Sequence, residues 1–147
     1  MQMWDVKAAV AHLNQHARAH STGHCAQFVR QAVEAGGVRL IHHASAKDYG
    51  KSLENAQFKA LPGGTDRFLA GDVVVIQPIP GHPHGHMAMF NGAIWISDFK
   101  QMHGFYPGAS YRKLKPSYTV YRNTFVVYPN IISYFEAIVA AYIPSAR

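Results

Sequence analysis

Cys25, the only cysteine in the chain, stands just after Ser21-Thr22-Gly23-His24, where a helical apolar pattern begins. Unpaired N–H groups and the dipole at a helix start favour thiolate over thiol, which makes this sulfur a candidate nucleophile. A nucleophilic thiol needs a general base, and the two are usually distant in sequence. The candidate base is His86, in Gly81-His82-Pro83-His84-Gly85-His86-Met87. Of its three histidines only His86 enters the apolar run Met87-Ala88-Met89-Phe90, so only it would be held by packing. Asp98, in Trp95-Ile96-Ser97-Asp98-Phe99, lies beyond a turn that returns the chain toward His86 and is the candidate orienting acid. Each residue also has a plainer reading. Cys25 could be a small hydrophobe on a buried helix face, and Asp98 a turn or capping residue. His82, His84 and His86 at alternate positions of an extended chain could bind a metal, but no Cys pair, second histidine cluster or HExxH accompanies them. Neither a metal nor a cofactor is expected.

These residues need elements to hold them. Trp4, Ala8, Val10, Ala11 and Leu13 fall near helical spacing with Asp5 in the first turn, which predicts a helix over residues 4–19. A second helix follows, with Ser21 or Thr22 as N-cap, Cys25, Phe28, Val29, Ala32 and Val33 on one face, and Gly36-Gly37 as the stop. The pattern weakens over residues 39–64, with a short helix expected near residues 47–56. The period then changes. Val73-Val74-Val75-Ile76 reads as a buried strand, and Asn91-Gly92 between Met87-Ala88-Met89-Phe90 and Ala93-Ile94-Trp95-Ile96 reads as a hairpin. Two registers are open: a two-residue loop sets His86 opposite Ser97, whereas a three-residue loop over Phe90-Asn91-Gly92 brings Asp98 diagonally onto the face of His86. Stretches at residues 117–121 and 124–127 extend the sheet, and residues 128–141 read as a closing helix. Helices first and sheet second make an α+β domain.

The chain has 147 residues, 48% of them hydrophobic, which suffices for one core without a disulfide or metal. A single domain over residues 1–147 is expected, with no repeats and no long linker. The first twenty residues lack the apolar core of a secretory signal, so synthesis in the cytoplasm without a signal peptide is expected. No stretch reaches the roughly 20 uninterrupted apolar residues of a membrane span. With 14 Lys+Arg against 8 Asp+Glu the net charge is +6, which suits an anionic partner such as nucleic acid, a membrane surface or an acidic cell wall.

The segments Ser21-Thr22-Gly23-His24-Cys25-Ala26-Gln27-Phe28-Val29-Arg30, Gly71-Asp72-Val73-Val74-Val75, Gly85-His86-Met87-Ala88-Met89-Phe90-Asn91-Gly92 and Trp95-Ile96-Ser97-Asp98-Phe99 together resemble the CHAP and NlpC/P60 superfamily of papain-like cysteine peptidoglycan amidases. The resemblance spans about residues 21–122, leaving 123–147 unassigned, and looks closest to small type VI secretion amidase toxins. It implies a papain-like α+β fold, with the nucleophile at a helix start packed on an antiparallel β-sheet. It implies a peptidoglycan hydrolase that cuts an amide in stem peptides or cross-links through Cys25, His86 and Asp98. Ser21, His24 and Ser97 are then the oxyanion or substrate candidates beside the Cys25 N–H. The implied partners are peptidoglycan, a cognate immunity protein and a secretion-machine component or carrier toxin, with action in the periplasm of a target cell. A phage-type lysin of the same chemistry is the runner-up.

A different class, a basic binding module without catalysis, would use the histidine loop for a metal or Tyr106, Tyr111, Arg112, Lys113, Lys115, Tyr118, Tyr121 and Arg122 as a stacking platform for nucleic acid. No recognised nucleic-acid motif is present, and no nucleic-acid partner is expected.

Overall fold

The computed structural model describes residues 3–127. In chain order the elements are β1 (Trp4–Asp5), α1 (Val6–His16), α2 (Cys25–Ala35), a 3-10 turn (Ala46–Asp48), α3 (Gly50–Asn55), β2 (Phe58–Ala60), β3 (Val73–Ile76), β4 (His86–Phe90), β5 (Trp95–Ile96), β6 (Lys100–Gln101), α4 (Ala109–Leu114), β7 (Tyr118–Asn123) and β8 (Val126–Val127). Six strands form one antiparallel sheet in the order β2-β7-β3-β4-β5-β6, and β1 pairs with β8 in a separate parallel ribbon. The expected helices-then-sheet order is present. The expectation of a closing helix at residues 128–141 lies outside the described residues.

α1 starts where the Asp5 carboxylate accepts the Ala8 N–H at 3.0 Å, satisfying one of the donors that a helix start leaves free. It ends at His16, short of the expected residue 19. α2 begins at Cys25 with His24 as its cap and no side-chain cap hydrogen bond, so neither Ser21 nor Thr22 caps it. It stops at Gly36, where a Cβ would meet the Trp4 indole and Gly37 turns left-handed at φ 104°. The helix expected over residues 47–56 is split between the 3-10 turn and α3.

β3 is buried on both faces, which is why its sequence is a continuous apolar run. One face, with Val73, Val75, Met87, Met89 and Ile96, packs on Leu13, Val29, Val33 and Leu53 from the helices. The other, with Val74, Ile76, Ala88, Trp95 and Val120, is covered by Tyr111 and by Phe68, Phe105, Tyr106 and Tyr118. Burying one such aliphatic side chain contributes about 1.5–3 kcal/mol. Asp72, 1% exposed, takes a two-pronged ion pair from Arg122 on β7 at 2.9 and 2.8 Å and also accepts the Leu69 N–H. The Gly-Asp pair before β3 is therefore a structural clamp.

The hairpin register differs from both expectations. Met89 pairs with Ile96 and Phe90 with Trp95, across a four-residue turn over Asn91-Gly92-Ala93-Ile94. The cause is the Asn91 side chain, whose Oδ1 accepts from the N–H groups of Ala93 (2.9 Å) and Ile94 (2.8 Å) and so replaces a tighter turn. Residues opposite one another share a face. Phe90 against Trp95, and Trp95 against Gln101, therefore put His86, Ala88, Phe90, Trp95 and Gln101 on one side of the sheet.

The loop into β4 depends on Gly85, at φ 69°, where an added Cβ would collide with the Ile76 carbonyl oxygen. Gly85→Ala should destabilise the fold by about 1–3 kcal/mol in urea unfolding; a change under about 0.5 kcal/mol would show that the turn relaxes freely.

Candidate active site

The start of α2 and the start of β4 meet at a cleft of about 450 Å³ whose walls include Ser21, Gly23, Cys25, His86, Asp98 and Tyr111. Cys25 is partly exposed, and the nearby backbone N–H groups of Met87, Ala26 and Cys25 itself favour the charged sulfur. Burial nevertheless pushes the thiol up to about 11, and the Asp98 charge adds to this, outweighing the helix-start amides. The expectation that the helix start alone favours thiolate is corrected accordingly: at neutral pH the sulfur rests as a thiol.

His86 is 6% exposed. Its Nε2–H donates to Gln101 Oε1 at 2.7 Å, while Gln101 Nε2 donates to the carbonyls of Gly104 (3.1 Å) and Phe105 (2.8 Å). Those two bonds fix which end of the amide faces His86, so the ring carries its proton on Nε2 and leaves Nδ1 free to accept one. Burial lowers His86 to about 4, against the opposing effects of the Gln101 bond and the Asp98 charge. Thiol and imidazole are thus both neutral at rest.

Sequence reasoning missed Gln101. The signal was within reach, because the Asn91 turn sets Trp95 on the His86 face and the short turn at Ser97-Asp98-Phe99 returns Gln101 to it. Asp98 lies at the cleft, but its hydrogen bonds run to the loop before Cys25. Its Oδ2 accepts from Thr22 N (2.6 Å), Thr22 Oγ1 (2.8 Å) and His24 N (3.3 Å), and its Oδ1 accepts from Ser97 Oγ at 3.2 Å. The carboxylate acts on Cys25 and His86 through its charge.

The other candidates separate. Ser21 is exposed on the cleft wall. Ser97 is fully buried with its hydroxyl committed to Asp98. His24 spends its N–H on Asp98 and lines a second cleft on the far side of Cys25, with Arg30, His42 and His43. The three histidines of the loop diverge: His84 Nδ1 shares a 2.6 Å hydrogen bond with Ser45 Oγ, His86 goes to Gln101, and His82 packs beside the Tyr111 ring at 5.4 Å. Among the described residues no three His, Cys, Asp or Glu side chains converge on a metal-sized site. The aromatic platform is also absorbed. Tyr111 and Tyr121 are buried, Phe105 packs on Tyr118 at 4.5 Å, and Tyr106 donates its hydroxyl to the Pro116 carbonyl. Stacking on nucleic acid needs exposed rings. Among the cations near the site, Lys47 pairs with Asp48, while Arg112 lines a cleft adjoining the Cys25 cleft together with Lys100 and His103.

The fold with this cleft is that of a type VI secretion effector. A chain of the native effector–immunity complex Tae3–Tai3 from Ralstonia pickettii superimposes with a TM-score of 0.76 at 49% identity, covering 82% of this chain and 99% of that one. A chain of the selenomethionine form of the same complex matches with a TM-score of 0.73 at 52% identity, over 78% of this chain and 98% of that one. The protein belongs to the Tae3 family of type VI effectors. No protein-family model and no curated protein matches it. Among the described residues no helix is long and apolar enough to cross a membrane.

Burial pushes the Asp98 carboxyl up, but its bonds from Thr22 and His24 outweigh that and leave it below its ordinary value of 3.8. A lowered folded value means stability that is present above 3.8 and is lost as pH falls through the folded value. Asp98→Asn should therefore cost about 1.5–3 kcal/mol at pH 7, with the gap to wild type closing in acid below the ordinary carboxylate range. Chemical denaturation across pH checks this, and a gap that stays constant into strong acid contradicts it.

Proposed function

We propose that this protein is a thiol-dependent peptidoglycan amidase of the CHAP and NlpC/P60 type, an antibacterial toxin that hydrolyses an amide of the wall's stem peptides or cross-links. One observation carries the reading: Cys25 at a helix start shares a cleft with His86, whose Nε2–H is tied to Gln101 so that Nδ1 is the free base. Because neither group is charged at rest, the proton moves as the sulfur attacks. His86 Nδ1 takes the thiol proton, Sγ bonds to the amide carbon, and the imidazolium then protonates the departing nitrogen. Water, deprotonated by the same histidine, releases the acid from the acyl-enzyme. Gln101 holds the ring in its tautomer, and Asp98 holds the loop that presents Cys25.

The substrate class follows from charge and family. Stem peptides carry free carboxylates, and Lys100, His103 and Arg112 line the adjoining cleft without an acidic side chain among them. The family relatives are effectors solved with an immunity protein, so delivery by a type VI machine to the periplasm of a target cell, and a cognate inhibitor that closes the Cys25 cleft, belong to the same reading.

Purified sacculi digested with wild type should release cleaved stem peptides by mass spectrometry, whereas Cys25→Ala should release none. Folded wild type that leaves sacculi intact, or an active Cys25→Ala, overturns the reading.

The base sets the pH profile. The acid limb of kcat/KM should fall near His86's value of about 4, because protonation below it removes the acceptor. Gln101→Glu should move that limb upward, since a carboxylate beside the ring favours imidazolium. Gln101→Ala should lower kcat by about 10–100-fold, within what a positioned base contributes. A limb unmoved by Gln101→Glu contradicts the assignment.

A further inference from the structure

One buried polar residue in the cleft wall has no assigned work. Tyr111 sits on α4 and is 4% exposed, with its ring centroid 6.1 Å from that of His86. Other tyrosines spend their hydroxyls inside the protein, Tyr49 on the His43 carbonyl and Tyr106 on the Pro116 carbonyl at 2.6 Å. The Tyr111 hydroxyl has no hydrogen-bond partner among the described residues, although its side chain lines the cleft that holds Cys25 and His86. Among the described residues the only fully buried side-chain nitrogen or oxygen without a partner is His12 Nδ1, so the Tyr111 hydroxyl, although its ring is buried, keeps access to the cleft, where a ligand atom can meet it. Burial, followed by the charge of a Cys25 thiolate, pushes this phenol up to about 12. It remains a donor at any pH near neutrality and lies close enough to the sulfur to feel its charge.

We propose that Tyr111 is a catalytic residue whose O–H donates, together with the Cys25 N–H, to the oxyanion formed on the scissile carbonyl. The proposal rests on the amidase reading and deepens it. As Sγ bonds to carbon and the thiol proton passes to His86, the carbonyl π pair moves onto oxygen, where the two donors meet it. On collapse the pair returns, the C–N bond breaks, and the imidazolium proton goes to nitrogen. Tyr111 keeps its own proton throughout. Two alternatives for this second donor are spent: the His24 N–H and the Ser97 hydroxyl both go to Asp98. Ser21 lies in the exposed loop that Asp98 ties down through Thr22 and His24.

Tyr111→Phe removes one oxygen and leaves the ring to pack as before. On soluble cross-linked muropeptides prepared from sacculi, kcat should fall by about 10²-fold or more, with KM within about twofold, because the bond is made only to the developing charge. Alkylation of Cys25 by iodoacetamide forms no oxyanion, so its rate and pH profile should match wild type. Unchanged kcat overturns the proposal, and so does a parallel fall in alkylation rate, which would make Tyr111 a positioning residue for Cys25 and His86. Wild type that fails to cleave the muropeptides while Cys25 still alkylates overturns the amidase reading and Tyr111's role with it. A cleaving wild type beside an equally active Tyr111→Phe removes only the latter.

Discussion

The carboxylate of Asp98 is fully enclosed and accepts four hydrogen bonds, three from the loop before Cys25 and one from Ser97. It stands at the tip of the hairpin whose next strand carries Gln101. One short piece of chain therefore fixes both halves of the site: Asp98 reaches across to the start of α2, and three residues later Gln101 turns back to hold His86. The Asp98 carbonyl also accepts the Arg18 N–H at 2.8 Å, tying the connection between α1 and α2 to the same tip. Without that charge the loop from Thr22 to His24 loses the acceptor that gathers its N–H groups, and the thiol loses its fixed position against β4. A buried anion is tolerable here because its donors supply what water would have supplied.

The same anion constrains the electrostatics. It raises both Cys25 and His86, while burial raises the first and lowers the second. A stable thiolate–imidazolium pair is therefore not the resting state, and in the proposed amidase proton transfer is coupled to attack. Such a site does not gain its rate from a stored ion pair, so more of the work falls on groups that meet charge as it develops.

The elements were legible where period and punctuation agreed. α2 announced itself through Cys25, Phe28, Val29, Ala32 and Val33 with glycines at its end, and β3 through four consecutive apolar residues. That Cys25 and His86 share a cleft was legible because a thiol at a helix start and a histidine opening a strand are chemically conspicuous. Gln101, which bonds His86, was not, because the tight turn at Ser97-Asp98-Phe99 that returns it to the His86 face carries no apolar pattern of its own. Asn91 bonds the Ala93 and Ile94 amides and lengthens the turn beyond what Asn-Gly alone suggests. That shifts the return strand by two residues from the two-residue-loop register, which keeps Trp95 on the His86 face, and it excludes the three-residue register that would have carried Asp98 there. Asp98 attracted attention as the nearest acid, yet a carboxylate with Thr22 in reach satisfies a loop as readily as an imidazole. Of the tyrosines that read as a binding stripe, Tyr106, Tyr111 and Tyr118 cover the second core and Tyr121 packs in the first, a distinction made by burial and invisible in spacing.

The choice of a neutral amide over an acid beside His86 follows from charge already present. A second carboxylate at position 101, buried and three residues from Asp98, would add a like charge to the site and, in the proposed mechanism, oppose the negative charge that builds on sulfur in attack. Either the acid would take up a proton or the thiol would be pushed further up. Gln101 avoids both, because its oxygen accepts the Nε2 proton while its nitrogen is anchored on Gly104 and Phe105. It orients the His86 ring without adding charge, at the expense of the basicity that a carboxylate would lend the imidazole. Asp98 partly offsets that loss by acting on the same ring from a position where its own charge is fully bonded. The structural acid and the orienting amide are thus two halves of one solution, in which the negative charge serves the loop and the neutral group serves the base.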